Sequence, residues 1–233
     1  MIVRTTSGVV QLITQPDHAQ LARAIMERCQ PLAANSRRDR ILLAIAEHDN
    51  GWMEEDAAPT VTPATGQIAD FVTLPIQARQ AVWPRGVGRL RDPWPAALVA
   101  HHAVTVYARF RGDTQWTSFF AGMESMRDSL VRASGLSLDD LLADYPFVRL
   151  GDLISLAFCT GSSDEQRFGA WTVKLAGTRV VVTPDPFGGA AIPIEIIARE
   201  LPARQFSTDA DLRDALRDAT RVTLRGFACG PAS

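Results

Sequence analysis

A chain of 233 residues, 46% hydrophobic and 21% charged, is long enough to bury a substantial core and too ordinary in composition for a disordered or fibrous protein. Its net charge of −2 excludes a broad basic face, so nucleic acid is not an expected partner. Cys29, Cys159 and Cys229 form no CxxC pair, no 18-residue apolar run occurs, and MIVRTTSGVVQLITQ lacks the features of a signal peptide; the expected setting is the cytoplasm, with no membrane partner.

The first 14 residues alternate as two short strands, MIVRT and VVQLIT, and Ser7-Gly8 between them suits a tight hairpin turn. Pro16 and Asp17 then open a helix in which Leu21, Ala24, Ile25 and Arg28 recur at helical spacing. Ser36 is placed to cap a second helix, with Ile41, Leu42, Ile45 and His48 on one face and a glycine stop at Asn50-Gly51. Residues 50 to 70, rich in Pro, Thr and Gly, read as a long loop of the kind that covers a site.

Asp92, Pro93 and Pro95 start the next helix, which carries Leu98, His101, His102, Thr105 and Val106. Further helices are predicted over 115–134, 137–144 and 146–160, the first and last ended by Gly135 and Gly161. Beyond Gly161 the period becomes alternating in WTVKL, RVVVT and IPIEIIA, with turns at Gly177 and PDPFGG. Thr208 caps a short amphipathic helix, DADLRDALRDA, before a last strand near RVTLRGF. The pattern predicts an α+β protein: a hairpin over 1–14, a helical core over 15–161 and a strand-rich layer over 162–233, with both ends joined in one small antiparallel sheet within one compact domain.

Only four histidines occur, His18, His48, His101 and His102, all in or beside predicted helices of the first half. His48 lies on the apolar face of Ile41 and Ile45, and Asp49 follows it. If the helix end bends, an imidazole and a carboxylate meet at one ion; if it does not, His48 meets the last carbonyls and Asp49 faces water. Asp152, in VRLGDLISLAFC, is surrounded by Leu150, Leu153, Ile154, Leu156 and Phe158. Burial there requires a compensating cation, either a metal or an arginine such as Arg149, unless the carboxylate lies on a solvated face.

The order His18, His48-Asp49, His101-His102, Asp152 resembles the H…HD…H…D signature of the HD superfamily, and HDNGW resembles the HD-x-G segment of its phosphodiesterase branch, with Trp52 where lysine is usual. More narrowly, QPDHAQLA, EHDNGW and RLGDLISLAFC are similar to a bacterial HD-like family of no known activity; the resemblance covers about residues 10 to 160. It implies an HD-like helical core and metal ligands at His18, His48, Asp49 and Asp152. Two-metal members add histidines from separate helices, whereas this chain offers the adjacent pair His101-His102, whose side chains diverge by about 100°. Both faces are apolar; the nearness of His101 to an arginine-rich entrance makes it the expected ligand, with His102 orienting a ligand or substrate.

The chemistry that follows is hydrolysis of a small phosphoester by water activated at a divalent transition metal such as Mn, Fe, Ni or Zn, with Asp49, Glu54 and His102 as catalytic residues. Arg85, Arg89 and Arg91, interleaved with Gly86 and Gly88, are the expected phosphate contacts, or else a solvated arginine-rich loop. Glu54, with Glu55 and Asp56, is a base only if its loop folds over the metal. The HD scaffold also supports diiron oxygenases, and a third reading is a non-catalytic, metal-stabilised sensor that binds a small ligand.

Overall fold

Alternation at the start of the chain becomes strand, as its pattern predicts. β1 (Ile2–Thr6) and β2 (Val9–Ile13) pair antiparallel, and Gly8 at the turn has φ 84°, which a side chain would disfavour. In the computed structural model, which describes residues 1–231, the helices then follow in close succession. α1 (Gln15–Met26) is capped by Thr14, whose hydroxyl accepts from the Asp17 amide at 3.1 Å. After α2 (Gln30–Ala33), α3 (Arg38–Glu47) begins without the expected Ser36 cap; the Asn35 side chain accepts from the Arg37 amide instead, at 2.7 Å.

The stretch predicted as a loop is partly helical. A 3-10 turn over Asn50–Trp52 leads into α4 (Met53–Ala57), and only a single bridge, Val61 to Ile68, orders the remainder as sheet. Gly51 does not end a helix in a left-handed conformation. It allows close approach instead, because a Cβ there would collide with the Val82 carbonyl. That carbonyl belongs to α5 (Ile76–Gly88), a helix that covers part of the arginine-rich segment expected as loop, with Pro84 inside it.

α6 (Pro93–Val106) is capped by Asp92, which accepts from the Trp94 amide at 3.0 Å. α7 (Thr117–Ser134) stops at Gly135. One continuous helix, α8 (Leu138–Thr160), replaces the two predicted on either side of Tyr145, and it stops at Gly161 with φ 71°. Pro146 forfeits one backbone bond, but the burial of Leu141, Tyr145, Val148 and Leu150 through Ile154 outweighs that loss.

The sheet comprises β1, β2, β3 (Gln166–Phe168), β4 (Trp171–Ala176), β5 (Arg179–Thr183), β6 (Ile192–Pro202) and β7 (Thr220–Cys229), in the order β1-β2-β6-β7-β5-β4-β3. Both ends of the chain therefore share one sheet, as the pattern predicts, and the class is α+β. The sheet is mixed rather than purely antiparallel: β7 lies between β5 and β6, which run oppositely, so it pairs antiparallel with β6 and parallel with β5.

Ile194, Ile196 and Ala198 of β6 join Val173, Leu175, Val180 and Val182 in the main core beneath the helices. Leu201, farther along β6, lies on the opposite face with Val10 and Leu12, where Leu212 and Leu216 of α9 (Asp209–Arg217) cover it. α6 and α8 run through the helical layer with buried residues on several sides; Gly151 lets α8 approach Met26 of α1 and Ile45 of α3. Among the described residues no helix is long and apolar enough to cross a membrane.

Candidate metal centre

Four elements bring five ligand-type side chains into the interior. His18 projects from the first turn of α1, His48 and Asp49 follow the last turn of α3, His102 comes from α6 and Asp152 from α8; all five are buried. The His48-Asp49 pair converges because the backbone leaves the helix between them. His48 is still helical at φ −60°, ψ −28°, whereas Asp49 sits at φ −115°, ψ 17°, which turns its carboxylate back towards the same point.

Two overlapping groups result: His18, His48 and Asp49, and His48, His102 and Asp152, each with ligand atoms within 4.8 Å of one another. His18 Nε2 is 3.0 Å from Asp49 Oδ2, 3.2 Å from His48 Nε2 and 3.8 Å from Asp152 Oδ1. His48 Nε2 is 3.6 Å from both Asp49 Oδ2 and Asp152 Oδ1, and His102 Nε2 is 3.6 Å from Asp152 Oδ2. Atoms about 2.1 Å from a shared ion stand about 3.0 Å apart at an octahedral angle and about 3.4 Å apart at a tetrahedral one, so these separations fit a metal-binding shell.

The atoms behind the rings fix which nitrogen faces inward. His48 Nδ1 donates to the Ile45 carbonyl at 2.7 Å, so in its neutral form Nε2 carries a lone pair. His18 Nδ1 lies 2.9 Å from Ser155 Oγ, whose hydrogen is used on the Gly151 or Asp152 carbonyl; Nδ1 is therefore the donor, and its Nε2 too is a free acceptor. Two lone pairs 3.2 Å apart repel unless a cation lies against them. Burial opposes charging His48, yet the carboxylates of Asp49 and Asp152 outweigh it and push its pKa up to about 9. The site thus calls for positive charge, which a bound metal ion supplies, and these buried histidines and aspartates can hold one.

The carboxylates remain ionised despite their surroundings. Burial raises the Asp152 pKa, but the Arg149 guanidinium paired with it, aided by His48, holds the carboxyl well below the usual range. Of the compensating cations open to Asp152 in the sequence, the arginine is in place: Arg149 pairs with Oδ2, and His18 and His48 face Oδ1. Burial likewise opposes charge on Asp49, and His48 and His18 bring its pKa down. His102 is kept neutral by burial, with its pKa lowered to about 3, and its Nδ1 lies 3.1 Å from the Tyr145 hydroxyl.

The expected assignment of the adjacent pair is reversed. His102, not His101, faces Asp152; the His101 ring packs edge-on against Tyr145 at 4.5 Å, and its Nδ1 has no hydrogen-bond partner. Burial, then the nearby Arg127, lowers its pKa to about 4. The 100° between neighbours on α6 sends only one ring to the cluster.

A cavity of about 210 Å³ opens onto this centre, lined by His18, Asp49, His102 and Asp152 together with Trp52, Trp83 and Tyr107. The arginines that reach it are Arg79, Arg109 and Arg149 rather than the expected Arg85, Arg89 and Arg91. Arg85 pairs with Glu54 and Glu55, and Arg89 with Glu54 and the Asn50 carbonyl, because the 3-10 turn that leads into α4 packs on α5; Arg91 is exposed between α5 and α6. Glu54 is likewise no base at this cavity: half-exposed, it spends its carboxylate on those two arginines.

Ser155, Tyr145, Arg79 and Arg109 also belong to the site, although the sequence analysis does not point to them. Ser155 had a signal of the same kind as Asp152, a polar residue in the apolar run of VRLGDLISLAFC one helical turn later. Arg79 and Arg109 had none among so many arginines.

No curated protein and no solved structure matches the chain. Residues 1–203 match the family described as "Protein of unknown function (DUF3891)", and the chain belongs to it.

Proposed function

We propose that the protein is a metal-dependent hydrolase of a small phosphoester. The observation that carries this reading is a group of five buried ligand-type side chains, four of them at the wall of a cavity that also presents arginine. Their order along the chain resembles the HD superfamily, which supports the same reaction class. Neutral imidazoles and carboxylates suit a divalent transition metal such as Mn, Fe, Ni or Zn. Such an ion supplies a nucleophile from water at neutral pH and polarises a phosphoryl oxygen.

The chain's own residues have separable tasks in this reading. His48 would hold the ion with ligands drawn from His18, Asp49, His102 and Asp152; Ser155, the Ile45 carbonyl and Tyr145 orient the three rings from behind. Arg149 offsets the charge of Asp152, and Trp52, Trp83 and Tyr107 limit the water admitted beside it. The cavity, smaller than the roughly 300–1,000 Å³ of pockets for drug-sized ligands, suits a small phosphoester rather than a nucleic-acid strand.

The test is a phosphomonoester and phosphodiester screen on chelator-stripped protein reloaded separately with Mn²⁺, Fe²⁺, Ni²⁺, Zn²⁺ and Mg²⁺. The proposal expects metal-dependent turnover that Asp152→Asn removes. Absence of product with every ion and ester class would overturn it.

A further inference from the structure

We propose that Arg79 and Arg109 form an anion-binding subsite in this cavity, so that its ligand is a small molecule with a second acidic group, phosphate or carboxylate, remote from the metal centre. Three other arginines have their partners inside the protein, and of these only Arg149 lines the cavity. Arg149 is matched by Asp152, Arg85 by Glu54 and Glu55, and Arg89 by Glu54. Arg79 and Arg109 differ: among the described residues neither has a carboxylate within ion-pair distance, although both line the cavity.

Their guanidinium groups are nonetheless placed. Arg79 lies over Trp116 at 5.5 Å and Phe110 at 5.8 Å, and Arg109 lies over the same Phe110 at 4.8 Å. Aromatic faces hold a guanidinium by cation–π attraction while leaving its N–H groups in the ring plane available to an oxyanion. Both guanidinium groups thus lie within about 6 Å of the Phe110 ring, beside one cavity, with no carboxylate to neutralise either. Arg79 adds a sharper sign: its Nε is buried with no hydrogen-bond partner, which is costly for a guanidinium nitrogen unless a ligand or water satisfies it.

The cavity lining carries three further unpartnered polar atoms, Gln15 Oε1, Trp52 Nε1 and Trp83 Nε1, all buried. An acceptor and donors of this kind suit the hydroxyl or amide of a polar small molecule. The ligand class is therefore a compact polar compound with acidic groups at both ends. Phosphate and carboxylate share the planar, bidentate recognition that arginine provides.

This inference rests on the hydrolase reading only for the reaction at the metal end, so binding is tested apart from turnover. Inorganic phosphate and, in a parallel arm, acetate are titrated by calorimetry into metal-free protein, wild type and the variants Arg79→Gln and Arg109→Gln. The expected result is saturable binding of at least one anion to the wild type, weakened at least tenfold in each variant, with the stronger arm identifying the group. Arg109 is exposed, so its replacement leaves the core intact and keeps the test meaningful if Arg79→Gln folds poorly. No saturable binding of either anion, or equal affinity in wild type and Arg109→Gln, would overturn the subsite. Anion binding that follows the prediction while no phosphoester is turned over with any metal would uphold the subsite and remove the hydrolase reading alone.

Discussion

Ser155 supports His18 from behind. Its hydroxyl accepts from Nδ1 while its own hydrogen goes to a carbonyl of α8, which fixes the ring's tautomer and aim. Ser155→Ala is expected to lower metal affinity by about 10- to 100-fold, the usual effect of losing such a partner, with the fold retained. Equilibrium dialysis against a metal buffer measures it; unchanged affinity would show that the ring needs no help. The adjacent histidines allow a sharper comparison. His102→Ala should lose metal while His101→Ala keeps it, since only the former ring faces Asp152. The sequence narrows the choice to these two residues but cannot make it: both flank apolar positions on α6, and the deciding contact, the Tyr145 ring against His101, comes from another helix.

At the scale of elements, two contacts position the ligands without touching them. Gly51 lies two residues beyond Asp49 and packs against the Val82 carbonyl of α5. Gly51→Ala forces these segments apart and is expected to cost about 1–3 kcal/mol in urea unfolding, the usual range for overpacking. Asp92 caps α6 and makes a two-point ion pair with Arg40 of α3, at 2.8 and 2.5 Å. Loss of the cap in Asp92→Ala should cost about 1 kcal/mol, with little added for a part-exposed ion pair. Arg40 holds the Asp92 carboxyl below its ordinary value. Its stabilisation is thus present above the unfolded-state pKa of about 4 and lost as pH falls through the lower folded value. The deficit of Asp92→Ala relative to wild type should therefore shrink as unfolding is measured from pH 6 down to pH 3; a constant deficit would assign the effect to the cap's shape alone.

These elements also show where local pattern suffices. Asp92, Gly135 and Gly161 mark helix ends as their chemistry dictates, and alternation reveals β2, β4, β5 and β6. α5 escapes because Pro84 and two glycines obscure its period, and α8 is read as two helices because Pro146 is taken for a break. In both, burial against neighbouring helices overrides the local signal. The expected roles of Glu54, Arg85 and Arg89 fail for the same reason: once the turn before α4 packs on α5, those charges satisfy one another.

For the whole molecule, the candidate ligands come from α1, the end of α3, α6 and α8, elements far apart in the chain but packed in one core. The His/Asp group is legible in the sequence because few histidines occur and Asp152 lies in an apolar run. The cavity beside it is not legible, since Trp83, Arg79 and Arg109 meet only after folding. The parallel β5–β7 pair has the same origin: strand periodicity says nothing of which neighbour a late strand will slot between. Because an ion held by four segments binds the folded chain and not the unfolded one, metal at about 100 times its Kd should add about 2.7 kcal/mol of stability. That corresponds to a rise in melting temperature of about 5–10 °C for a domain of this size, read by calorimetry with and without chelator.

The most direct test of the metal centre is the metal content of chelator-stripped protein after reconstitution and desalting, measured by plasma mass spectrometry for wild type, His18→Ala and Asp152→Asn. The five converging side chains predict close to one divalent ion per wild-type chain and a clear loss in both variants while their circular dichroism remains that of the folded protein. Wild-type protein that retains no Mn, Fe, Ni or Zn, or folded variants that retain as much as wild type, would contradict it.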